Sequence, residues 1–336
     1  MRMRWIRPAA SYVGAVVGAG FASGREVQHF FAAHGPRGLV GAAVAGALFA
    51  LVGATVLRRV ARDGTRHYGE LLRGLCGPVL GTALDRLGTL ALGVGLVVVL
   101  AGGGALGTMV AGWPRMAGVL VLALMLAATE LVGKRVHVTV NLAVVPLIVA
   151  TCAFAAIHRA QTPPALPLAS PQMPWGLAAL LYVAYNLMLG VAGLCVAAEP
   201  GLPAGEAAVG GATGGAVLGL LCAAIAWVLL PGAGAHAELP LGSVLGKGQW
   251  RSVGYPLMLL LALWTTGLAT VRALSDRVAP GRRWTGAVAV ACSLPFASFG
   301  LVGLVATIYP LLGFIGIPLL LAVAFAAVSE FLLGPR

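Results

Sequence analysis

The sequence predicts an all-α polytopic membrane protein of about ten transmembrane helices. Three observations predict it. Charged residues are 10% of the chain and hydrophobic residues 60%, where soluble domains carry about 25% charged residues. Charge-free runs cover 8–24, 38–57, 87–114, 116–129, 160–198, 207–235, 252–271 and 284–329. Finally, the basic residues segregate by side. Of 22 Lys and Arg, 16 fall on one side: three before the first span, six between 58 and 86, Lys134 and Arg135, four between 272 and 283, and Arg336. The other six are Arg25, Arg37, Arg115, Arg159, Lys247 and Arg251. That bias marks the cytoplasmic side.

A spanning helix needs about 20 apolar residues. The runs therefore place spans at 8–34, 38–58, 86–112, 115–132, 174–198, 207–231, 252–276, 284–300 and 309–333, the last run holding two. A helix at 136–157 completes ten. An even number puts both termini on one side, the basic bias makes that side the cytoplasm, and the inner (plasma) membrane is the expected location. The net charge of +12 then follows from topology, and neither nucleic acid nor another acidic partner is required. The partners are the lipid bilayer and a small-molecule substrate. The opening MRMRWIRP has the character of a signal n-region, but no small-residue cleavage site follows a short apolar core, so the first span is read as retained. The five cysteines are scattered, with no metal spacing and no disulfide framework.

The first span holds GAVVGAGFASGREVQHFF, residues 14–31. Glycine weakens helices and charge is costly in hydrocarbon, yet this stretch carries both. If 18–24 unwinds, the freed N–H groups suit an anion and the freed carbonyls suit a cation. The other reading is a Gly-rich packing face without a break, and the glycines alone do not choose between them. The sixth span, WGLAALLYVAYNLMLGVAGLCVAAE, places Tyr182, Tyr185 and Asn186 mid-span, followed by Gly190 and Gly193. Transporters built from repeats carry interrupted helices at matching places. Spans one and six are five apart, so a five-helix repeat, 1–160 followed by 161–336, is inverted. Breaks are expected near Gly18–Gly24 and near Asn186–Gly190. The glycines of the third span, with Gly41, Ala45, Gly210 and Gly214, are read as packing positions.

VVGAGFASGREVQHFFAAHGPRGLVG closely resembles the first-helix signature of the YkvI-like bacterial membrane proteins, permeases of the amino acid–polyamine–organocation superfamily. The resemblance implies the leucine-transporter fold, with two inverted five-helix repeats and broken helices 1 and 6. It also implies secondary, ion-coupled symport of a small amino acid or related amine. The substrate site would be formed by Gly18, Ala19, Gly20, Phe21, Ala22 and Ser23 with Tyr182, Tyr185 and Asn186. Tyr182 and Asn186 share one helix face. In sodium-coupled relatives two carbonyls before the first break, and a carbonyl with two hydroxyls on the eighth helix, hold one ion. The matching positions here are Gly14, Val17, Ala262, Thr265 and Thr266. The threonines could instead bond back to their own helix carbonyls. Na⁺ is the expected coupling ion and H⁺ the alternative. Proton-driven relatives place a lysine on the fifth helix, and Lys134 lies only at that helix's start. No cofactor is expected.

Arg25 and Glu26 lie one turn beyond the break, as a vestibule or gate, with Gln28 and His29 continuing the polar face. In relatives an arginine near this place closes on an acid of the tenth helix. Here that helix has only Glu330, at its inner end. A ligand sensor or channel on the same fold is the second hypothesis. A protease is the third: FASG approaches the Gly-x-Ser-Gly of rhomboid-like enzymes, but Phe21 stands at the first glycine. A serine nucleophile also needs a positioned base, and no histidine lies mid-membrane in the second half.

Overall fold

The structure, a computed structural model, describes residues 4–65, 67–132, 146–152, 154, 155, 157, 173–197, 201–230, 237–245, 248–279, 282 and 284–333. Most of the expected fifth span, with Lys134 and Arg135, lies outside these residues. The described chain is all helix and turn. Its helices are α1 (Ile6–Val16), α2 (Ala19–Ser23), α3 (Arg25–Phe30), α4 (Pro36–Asp63), α5 (Tyr68–Cys76), α6 (Pro78–Ala111), α7 (Arg115–Val132), α8 (Trp175–Ala197), α9 (Ala204–Leu229), α10 (Pro240–Ser243), α11 (Tyr255–Val278), α12 (Trp284–Ala297) and α13 (Leu301–Leu333). Among the described residues six helices are long and apolar enough to cross a membrane: α4, α6, α8, α9, α11 with its preceding π turn, and α13. The chain is a multi-pass membrane protein.

Proline opens both α4 and α6, where its missing N–H costs nothing. Glycine in the left-handed region closes them, at Gly64 and Gly112. α5 is a short helix that the sequence left in a loop, because Glu70 and Arg73 break its hydropathy. Its Leu71 and Leu72 are nevertheless buried. α13 starts at Leu301, eight residues before the expected boundary. The turn at Gly300, φ 79°, separates it from α12.

Small residues bring the helices together. A β-carbon on Gly46 of α4 would lie 2.8 Å from the Gly219 Cα of α9, and one on Gly53 would lie 2.5 Å from the Gly211 carbonyl oxygen. Gly210 and Gly214 face α1 instead, against Trp5, Pro8, Ala9 and Tyr12. In lipid no hydrophobic effect joins helices, so close backbone approach supplies the attraction. Gly211→Leu is therefore expected to force α4 and α9 apart. Overpacking of this kind costs about 1–3 kcal/mol or more, and melting of the purified protein in detergent should move down by several degrees. An unchanged melting temperature would show that the pair is loosely packed.

The first span is interrupted, as the sequence expected, but in two places. The sixth is not, and this corrects the expectation of a break near Asn186–Gly190: α8 runs unbroken from Trp175 to Ala197. Its glycines serve packing. A β-carbon on Gly193 would lie 2.8 Å from Ala15 Cβ, and one on Gly190 3.7 Å from Val16 Cγ2. Asn186 Nδ2 donates to the Tyr182 carbonyl at 2.9 Å, within its own helix. Unwinding would strip backbone groups of partners in an apolar interior. On its other side α8 is held by α13, whose Gly313 lies against Leu181 and whose Gly316 lies against Ala184.

Charges gather at the helix ends. Arg58 and Arg62 reach Glu330, Arg272 pairs with Glu130 at 3.0 Å, and Arg277 reaches Asp85 at 3.7 Å. All four arginines belong to the expected cytoplasmic set.

Candidate functional site

The helical ladder of α1 ends with the Val17 N–H donating to the Val13 carbonyl at 2.8 Å and resumes with the Ala22 N–H donating to Gly18 at 2.9 Å. Val17 and Gly18 between them are extended. The carbonyls of Gly14, Ala15, Val16 and Val17 are thereby left without an i+4 donor. A second interruption follows at Gly24, whose φ of 77° suits glycine and few other residues. Ser23 bridges it: its hydroxyl donates to the Gly20 carbonyl at 2.7 Å and accepts the Arg25 N–H at 3.1 Å. The unwound point is thus Val17–Gly18, and Ala19–Ser23 is a single helical turn between two breaks. Ala19, Gly20, Phe21, Ala22 and Ser23 are all buried. The hydroxyl of Ser23 is engaged by backbone.

α2 packs against α11 and α6. A β-carbon on Gly18 would lie 3.2 Å from both Cγ2 and Oγ1 of Thr266. The break and Thr266 are therefore neighbours. Thr265 is buried, and its hydroxyl lies 2.9 Å from the Leu261 carbonyl and 3.2 Å from that of Ala262. Its proton is spent on its own helix, while its oxygen keeps lone pairs. Ala262 is fully buried.

The largest departure from the sequence expectation concerns Glu26. In the structure it lies inside the protein, 6% exposed, not in a vestibule. Its carboxyl folds back over Gly20, where any β-carbon would overlap it. The Tyr185 hydroxyl donates to Glu26 Oε2 at 2.5 Å, and Tyr309 stands beside the same carboxyl. The two tyrosine rings lie 4.6 Å apart, with Phe30 and Tyr182 each about 5.5 Å from Tyr185. Tyr182 stands one layer back, its ring edge-on to Phe31 and Phe49 and its oxygen 3.6 Å from Cys222 Sγ. Arg25 points elsewhere, since adjacent residues on a helix do not share a face. Its Nη1 donates to the Ala237 carbonyl at 3.4 Å, and the charge of Glu238 bears on it. Glu238 in turn pairs with Arg115 at 2.8 Å.

The chain resembles Mhp1 over nearly its whole length. Mhp1 is a nucleobase-cation-symport-1 family transporter, solved in a closed conformation with bromovinylhydantoin bound. The match has a TM-score of 0.62 at 16% identity and covers 98% of this chain and 78% of Mhp1. The Eremococcus coleocola manganese transporter, in complex with an aromatic bis-isothiourea substituted compound, matches with a TM-score of 0.55 at 13% identity, over 99% and 89% of the two chains. At such identities the likeness establishes the fold. By sequence the chain is 27% identical to the uncharacterized protein YyaD of Bacillus subtilis, over 95% of this chain and 94% of YyaD. It is 34% identical to the Bacillus subtilis membrane protein YkvI over 138 residues, 41% of this chain and 40% of YkvI. No protein-family profile matches the chain.

Beside the Mhp1-like fold, two residues of the neighbourhood escaped sequence reasoning. Tyr309 sits in the run 284–329, where the span boundaries were least legible, and nothing in the sequence ties it to the first span. Glu238 lies in a short loop and supplies the acid near Arg25 that the tenth span lacks. Among the described residues no three His, Cys, Asp or Glu side chains converge as a metal site would require.

Proposed function

We propose that this protein is an ion-coupled secondary transporter of a small amino acid or related amine, binding its substrate where the first span is interrupted. The observation that carries the proposal is the break at Val17–Gly18. It frees backbone groups inside the protein and lies beside α11, while the next turn lies beneath Glu26 and Tyr185. Non-helical backbone is tolerated within a membrane only where protein or a polar cavity satisfies it. A functional site meets that condition and a packing face has no need of it. The likeness to Mhp1 and to a manganese transporter supports transport as the use of such a break.

Sodium is the proposed coupling ion, held by the carbonyls of Gly14, Val17 and Ala262 and the hydroxyls of Thr265 and Thr266. The adjacency of Gly18 to Thr266 supports this set. Hard neutral oxygens suit such a cation. The chain would be two inverted five-helix repeats, 1–160 and 161–336, in the plasma membrane with both termini cytoplasmic.

Accumulation decides between transporter and sensor. Purified protein in proteoliposomes, with an inward sodium gradient and a panel of radiolabelled amino acids and amines, should concentrate at least one of them above the external level. Binding without accumulation would instead support a ligand sensor on the same fold.

A further inference from the structure

We propose that Glu26 recognises the ammonium group of the substrate, so that the site selects primary amines over neutral ligands of the same shape. The inference rests on the substrate site proposed above and names what that site reads. An ionised carboxyl buried away from water is costly unless it is paired. Among the described residues the carboxyl accepts from the neutral hydroxyl of Tyr185, with Tyr309 beside it, and no basic side chain pairs with it. Arg25, the nearest basic residue in sequence, is directed to Ala237 and Glu238.

The surroundings suit a cation of limited size. Gly20 carries no side chain between the carboxyl and the interrupted backbone. The freed carbonyls at the end of α1 contribute partial negative charge. The rings of Phe30, Tyr182 and Tyr309, each with its centroid within 5.5 Å of that of Tyr185, offer π faces of the kind that attract ammonium groups. An ammonium entering here exchanges water for a carboxylate, phenol oxygens and ring faces. A ligand with a hydroxyl in place of the amine meets the same shape without the charge.

A structural role and a recognition role make different demands. Holding the two tyrosines needs only a hydrogen-bond acceptor, which glutamine supplies. Binding a cation needs the charge. Thermal unfolding of the purified protein in nanodiscs, without any gradient, reads this directly, because a ligand raises the melting temperature according to its affinity. The probes are isobutylamine and 2-phenylethylamine, each against its alcohol counterpart, with alanine as a zwitterion. At least one amine should stabilise the wild type where its alcohol does not. Glu26→Gln should weaken that amine about ten- to a hundredfold, while Glu26→Asp, which keeps the charge, should retain the preference for amine over alcohol. Equal stabilisation by amine and alcohol overturns the proposal. So does amine affinity within twofold of wild type in Glu26→Gln, and so does the lack of stabilisation by every amine probe. Should Glu26→Gln fail to fold, the wild-type and Glu26→Asp comparisons decide. Amine binding without accumulation in vesicles would overturn transport and leave this assignment standing. Accumulation of a ligand indifferent to Glu26→Gln would do the reverse.

Discussion

Gly20→Leu is expected to abolish substrate uptake while leaving the protein in the membrane at normal abundance. A β-carbon at this position overlaps the Glu26 carboxyl. The obstacle is the far end of a flexible side chain, so the fold can yield by swinging Glu26 away from Tyr185 and Tyr309. Leucine also favours continuous helix over glycine by about 0.8–1 kcal/mol, which opposes the extended backbone just before it. Both effects act on the site and neither removes apolar surface, so insertion should survive. Gly20→Ala should show the same loss in milder form, since the clash begins at the β-carbon. Gly41→Leu is the control. A β-carbon there would meet Phe31 at 3.4 Å, an ordinary contact, and a longer side chain there acts only through packing. Uptake is measured in cells alongside surface abundance by immunoblot. Wild-type uptake by Gly20→Leu would mean that the glycines serve packing alone.

Replacing both hydroxyls of α11, Thr265→Val with Thr266→Val, should remove sodium dependence from uptake or remove uptake itself. Valine nearly conserves volume. Among the described residues the hydroxyl of Thr265 otherwise bonds only carbonyls of its own helix, a contact that contributes little to folding. Abundance and melting temperature should therefore change little. Two of the five oxygens proposed for the ion disappear, however, and a cation with three neutral ligands is poorly held in a site shielded from water. The readout is initial uptake rate against external sodium, replaced by choline. Undiminished sodium-driven uptake in the double mutant would exclude this ion site and point to protons as the coupling ion.

Much of the architecture was legible in one dimension because hydrocarbon imposes a local rule. A membrane helix satisfies its backbone within itself, so length and apolarity mark it without reference to its neighbours. The span at 38–58, the helix at 115–132 and the interruption of the first span could be read that way. Glycine, the residue that breaks a helix, announced where the ladder of α1 would stop. The same residue misled at Gly190 and Gly193, because a glycine that lets two helices touch and a glycine that lets one unwind look alike in sequence. What separates them is the neighbour, here Ala15 and Val16 of α1. α5 was missed because nine residues of mixed hydropathy, about two and a half turns, carry no span signal.

By itself the sequence determined the membrane class, the segregation of basic residues and the presence of a glycine-interrupted first span beside an arginine and a glutamate. Only the tertiary structure decided what that glutamate faces. Glu26 meets Tyr185 and Tyr309 from α8 and α13, residues far away along the chain that share no pattern with the first span. The reason is physical: helix periodicity reports which residues share a face, whereas the partner of a buried carboxyl is set by which helices pack together and at what rotation. Those depend on small residues such as Gly193, Gly313 and Gly316 meeting across interfaces that no single segment encodes.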